Sequence, residues 1–107
     1  MLAKLRSEIE LASRHLEVIR AVVKYQPIGI MKLSEILDIP YHRVRYSLRI
    51  LEQEGYIRAS PAGAVATEPA ADLLGGLEAR VDELIALLEA IKEENSHNIY
   101  YDSGKTL

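Results

Sequence analysis

The chain has 107 residues, 49% hydrophobic and 27% charged, with no Cys, Phe or Trp and a formal net charge of −3. This length and balance predict one folded domain with a modest aliphatic core and exclude a disordered chain. Without cysteine there is neither a disulfide framework nor a thiolate metal site, which suits a reducing cytoplasm. The charge is uneven. Through Arg58 there are ten Lys and Arg against seven Asp and Glu, three positive on balance; from Ala59 on there are three against nine, six negative on balance. A basic front half and an acidic back half are expected when one face meets phosphate and another does not.

The first element is predicted as one helix over about residues 2–25. Leu2, Leu5, Ile9, Ala12, Leu16, Ile19 and Val23 step by three and four in a continuous heptad seam. Its opening, MLAKLRSEIELASR, is charged throughout and reads as neither a signal peptide nor a membrane span, so a cytoplasmic location is expected. Pro27 ends the helix, because the residue before a proline is pushed out of helical space. Leu2, Leu5 and Ile9 overshoot what a small domain needs to fill its core, and an uncovered leucine stripe is something soluble monomers avoid.

Ile28-Gly29-Ile30 is a short apolar link able to add a small strand. Residues 31–37 form a second helix with Leu33, Ile36 and Leu37 inward and Lys32 and Glu35 outward. After Asp38, a capping residue, and Ile39, which packs under the turn, Pro40 opens a third helix, where its missing N–H goes unused. Val44, Leu48 and Leu51 give that helix one narrow apolar stripe, and Gly55 stops it in the left-handed manner. The opposite face carries His42, Arg45, Tyr46 and Arg49, with Arg43 on a flank. A helix buried on one side and studded with arginines on the other is built to meet something acidic.

Residues 56–60 and 64–67 read as two strands around Pro61-Ala62-Gly63, a loop length that suits a hairpin. Thr67 is placed to cap a last helix with Pro69 in its first turn. That helix is predicted to reach about Ser96, bent where Gly75-Gly76 interrupts it. Leu74, Leu77, Val81, Leu84, Leu88 and Ile91 form a second seam of about three heptads, a coiled-coil candidate. Residues 97–107 are polar, without period, and predicted to fray.

No catalytic constellation is visible. Gly104-Lys105-Thr106 imitates the end of a phosphate-binding loop, but position 99 is isoleucine where that loop needs glycine. His15, His42 and His97 fall on three elements without ligand spacing, and each is expected in solvent. We therefore expect no enzyme activity, no cofactor and no metal.

The run Leu33, Ile36, Leu37, Asp38-Ile39-Pro40, Val44, Leu48 and Leu51-Glu52-Gln53-Glu54-Gly55-Tyr56-Ile57 resembles the helix-turn-helix of winged-helix transcriptional regulators of the broad MarR, ArsR and PadR kind. The likeness covers about residues 13–67. It implies a mostly α fold with a small β-hairpin wing: a winged helix-turn-helix over 1–68, a dimerisation helix over 69–96 and a flexible tail over 97–107. It implies a cytoplasmic, nucleoid-associated homodimer that binds double-stranded DNA through a recognition helix over about 40–54. Arg45 and Arg49, four apart, are set for base edges, and His42 and Tyr46 share their surface. Arg43 sits off to one side, and Tyr41, Lys32 and Arg58 would clamp the backbone. The dimer contacts expected are Leu2, Leu5, Ile9, Leu74, Leu77, Val81, Leu84, Leu88 and Ile91. The chain is also similar to small archaeal winged-helix proteins that dimerise by a terminal coiled coil, some of which coat DNA; those tend to be strongly basic, unlike this chain. Two further roles are compatible with the same fold: a protein-binding module, and a sensor in which Leu16, Ile19 and Leu77 line a small-molecule pocket.

Overall fold

The structure is a computed structural model that describes residues 1–106 along the backbone and side chains through Ser96. Five helices and one two-stranded antiparallel sheet follow in the order α1 (Leu2–Tyr25), α2 (Ile30–Leu37), α3 (Tyr41–Gln53), β1 (Ile57–Ser60), β2 (Gly63–Ala66), α4 (Glu68–Gly75) and α5 (Leu77–Thr106). Two compact units divide the chain, Met1–Asp72 and Leu73–Leu107.

In the first unit α1, α2 and α3 pack on one another, α1 also lies on β2, and α3 lies on β1. Its core is Val18, Ile19, Ala21 and Val22 of α1, Ile28, Leu33, Val44, Leu51, Ile57 and Ala70. This corrects the single seam expected along α1. At about 100° per residue, the buried residues and the leucine seam sit on faces well over 90° apart. Only Ile19 is fully buried on that seam, with Leu16 half-buried, while Leu2 and Ile9 are 67% and 51% exposed and Ala12 and Val23 are exposed too. Apolar residues at spacings of three and four occur on both faces, so periodicity alone merged two stripes into one.

The turn between α2 and α3 is held locally. Asp38 adopts a left-handed conformation (φ 54°) at the end of α2, and the N–H groups of Asp38 and Ile39 both reach the Ser34 carbonyl. The Ser34 hydroxyl donates to the Ile39 carbonyl at 2.6 Å, closing the loop from the other side. Pro40 is the N-cap of α3, one position earlier than its first turn. At the far end Gly55 has φ +85°, the Tyr56 N–H donates to the Leu51 carbonyl (2.9 Å) and the Gly55 N–H to the Glu52 carbonyl (3.0 Å). That pair is the Schellman closure that a glycine after a helix makes available.

The hairpin pairs Ile57 with Ala66 and Ser60 with Gly63, and Ile28 bridges to Ala64 by two backbone hydrogen bonds of 2.8 and 3.1 Å. The apolar link thus adds a single bridge residue rather than a third strand, and the sheet stays two-stranded. Gly63 (φ +132°) is required there, since a Cβ would stand 2.6 Å from the Ile28 backbone. Thr67 does not cap α4 by its side chain: its hydroxyl donates to the Gly55 carbonyl (2.6 Å), tying the end of the hairpin to the end of α3.

The second unit is essentially α5. The helix breaks after Gly75 as expected, then continues through Thr106, so the backbone of the polar segment expected to fray from residue 97 is drawn into it. That segment contains no proline to forbid helix propagation; its side chains and Leu107 lie outside the described residues. Between Glu78 and Ser96 every residue is exposed, including Val81, Leu84, Leu88 and Ile91, with Leu84 at 58% and Ile91 at 59%, and Leu74 and Leu77 are half-buried. Ile85 and Leu87 flank the seam and widen it, giving a band broader than two strictly alternating heptad positions. No helix among the described residues is long and apolar enough to cross a membrane.

Candidate nucleic-acid interface

The outward face of α3 follows from its inward one. Val44 and Leu51 are fully or almost fully buried, Leu48 is half-buried, and the apolar stripe expected of these three is joined by Ser47, which has no exposure at all. With that side fixed against α1, α2 and β1, His42, Arg43, Arg45 and Arg49 are turned to solvent and Tyr46 is 37% exposed. Tyr41, Lys32 and Arg58 are exposed as well.

The structure gathers only some of these residues. Arg43, Arg45, Arg49, His42 and Tyr46 surround an open depression of about 490 Å³, and its sixth member is Arg14, from α1. Lys32, Tyr41 and Arg58 do not line it. Arg45 and Arg49 also border a second depression of about 320 Å³, between α3, the hairpin and Ile28. None of Arg14, Arg43, Arg45 and Arg49 forms an ion pair: among the described residues only Arg6 and Glu10 do so, on the exposed surface of α1. Four guanidiniums line one bowl whose own lining holds no acid, which makes it a positive surface.

Tyr46 meets two of them. The Arg49 guanidinium lies 5.4 Å from its ring centroid and that of Arg14 5.9 Å, both within cation–π range, and the His15 ring is 6.0 Å away and tilted by 34°. Beneath it, Arg14 Nε donates to Ser47 Oγ at 3.2 Å, and Ser47 Oγ meets His15 Nδ1 at 2.8 Å. Burial, and after it the Arg14 charge, hold His15 below the ordinary imidazole value. Ser47 Oγ thus accepts from Arg14 and shares a second hydrogen bond with the His15 ring, its direction set by the imidazole tautomer. His15 is therefore half-buried and bonded, which corrects its expected place in solvent.

Arg14 and Ser47 belong to this site although neither is among the residues expected from the sequence. A signal existed. Leu11, His15, Val18 and Val22 repeat at four and three with Arg14 alongside, an apolar stripe interrupted by polar groups, as happens when a polar contact is carried inward. Among the described residues no three of His, Asp and Glu gather as metal ligands do. Ile19, Leu16 and Leu77, considered as a ligand-pocket lining, are respectively fully buried, half-buried and half-buried. A scan against protein-family models returned no match, and a search of curated proteins likewise returned none.

Proposed function

We propose that the protein is a winged helix-turn-helix module that binds double-stranded DNA as a homodimer and acts as a transcriptional regulator, with α3 as the recognition helix. The observation that carries this reading is the unpaired guanidinium set on the outward face of α3. A helix with its side chains is about 10–12 Å across, and a B-DNA major groove is about 12 Å wide, so the groove admits α3. Arg45 and Arg49 stand one turn apart on its exposed side, spaced to meet the paired acceptors of guanines on neighbouring steps. His42 and Tyr46 share the depression with them, while Lys32, Tyr41 and Arg58 reach for phosphates on either side. On this reading the hairpin is the wing, with Arg58 as its one basic residue.

The dimer half of the proposal rests on the bare stripes. Leu2, Leu5 and Ile9 of α1, and Val81, Leu84, Leu88 and Ile91 of α5 with Ile85 and Leu87 beside them, are exposed apolar surface on helices. Monomers seldom leave such stripes uncovered, and a second copy covers them without any new sequence. Two recognition helices then meet major grooves about 34 Å apart on a near-palindromic site.

Duplex binding measured across salt tests the reading. Six to ten phosphates engaged per dimer lower the affinity by about 10³–10⁵-fold between 50 and 200 mM salt. Absence of affinity for any duplex at low salt hands the surface to a protein partner instead. Equal affinity for every sequence makes it a non-specific DNA-coating protein.

A further inference from the structure

We propose that Arg14, with Arg43, forms a seat for one phosphate group beside α3, and that the phosphate it takes is a backbone phosphodiester of the bound duplex. The second half rests on the function proposed above; the seat itself does not. Arg14 comes from α1, about 30 positions before the arginines of α3, yet opens into the same depression.

Its guanidinium is fixed twice. Nε is spent on Ser47 Oγ at 3.2 Å, and the guanidinium carbon lies 5.9 Å from the Tyr46 ring centroid. Ser47 is fully buried and is itself hydrogen-bonded to His15 at 2.8 Å, so the anchor is part of the packed interior. Of the five N–H donors on a guanidinium, the four on the terminal nitrogens are left for a ligand. Arg49 meets the same ring, 5.4 Å from its centroid. Glu10, Glu17 and Asp38 line a neighbouring depression that Arg14 and Arg43 also border, but none of them forms an ion pair with either arginine.

A guanidinium ordered before the ligand arrives loses little side-chain freedom on binding, and its fork matches two phosphate oxygens. Lysine at position 14 keeps the charge but has neither an Nε–H for Ser47 nor a planar fork. Arg14 therefore positions the duplex and does not read it.

The test measures the full chain, Arg14→Ala, Arg14→Lys and Ser47→Ala against a preferred and a scrambled duplex from 50 to 200 mM salt. Inorganic phosphate is titrated in parallel while the Arg14 Nε–Hε resonance is followed. Arg14→Ala is expected to reduce the slope of log affinity against log salt by about 0.9 for each copy bound, with equal loss on both duplexes. Arg14→Lys is expected to keep most of that slope and still bind more weakly than the parent, and Ser47→Ala to do the same through a loosened Arg14. Wild-type slope and affinity in Arg14→Ala, or in Arg14→Lys should the alanine variant fail to fold, overturn the seat while duplex binding by the parent leaves the DNA reading standing. A parent that binds no duplex but whose Arg14 resonance shifts saturably with phosphate keeps the seat, assigns it to free phosphate esters and overturns the DNA reading. A parent that responds to neither removes both.

Discussion

The surroundings of His15 move its titration, and the move has a sign. Burial and the neighbouring Arg14 disfavour the imidazolium, so the folded chain binds the His15 proton less readily than the unfolded chain does. This stability term is intact above the ordinary histidine value of 6.5. It falls as the pH drops below that value, and levels off once the pH is beneath the lowered folded value. Thermal melts of the parent and of His15→Gln between pH 7.5 and 5 are expected to converge as the pH falls; parallel pH profiles refute the assignment. Arg45 and Arg49 carry the second prediction at this scale. Both are exposed, so replacing either by alanine leaves the melting temperature within about 2 °C of the parent's. On a preferred duplex each is expected to cost about 1–3 kcal/mol, with a smaller loss on scrambled sequence. Equal loss on all sequences makes them phosphate contacts.

Among the elements, the hairpin depends most on single positions. Gly55 and Gly63 both have positive φ, but open space surrounds the site of a Cβ at Gly55, whereas at Gly63 it collides with the Ile28 backbone. Gly55→Ala meets only the conformational penalty of about 1–2 kcal/mol. Gly63→Ala adds a steric one that backbone on both sides cannot relieve, and chemical denaturation is expected to rank it clearly the more destabilising. Equal costs mean that the Ile28–Ala64 bridge gives way without consequence. The α2–α3 turn shows the opposite economy, because Ser34, Asp38 and Ile39 close it largely by their own backbone and one hydroxyl.

At the scale of the whole molecule, the bare surface of α5 calls for a cover. A 30-residue helix whose side chains from Glu78 to Ser96 are all exposed has no core of its own. Most helical stability in proteins comes from packing an amphipathic face rather than from propensity. Sizing of the intact chain is expected to give a dimer, and of a chain ending at Asp72 a monomer, since the first unit holds its own buried core. A shortened chain that stays dimeric places the main interface on α1 instead.

Helix periods, proline stops and the glycines that end α3 and turn the hairpin were all legible in the residues, because each acts through local sterics or hydrogen bonds a few positions away. The arginine face of α3 was legible for the same reason: a stripe of Val44 and Leu51 on one side dictates what stands opposite. Which face of α1 turns inward was not, because two apolar stripes share that helix and only packing against α3 and β2 selects between them. The seat around Tyr46 was hidden for a related reason. Arg14 and Ser47 are 33 positions apart, and only the docking of α1 on α3 brings a guanidinium to a buried hydroxyl. Chain order specifies local geometry; contacts between distant elements exist only after the core has formed.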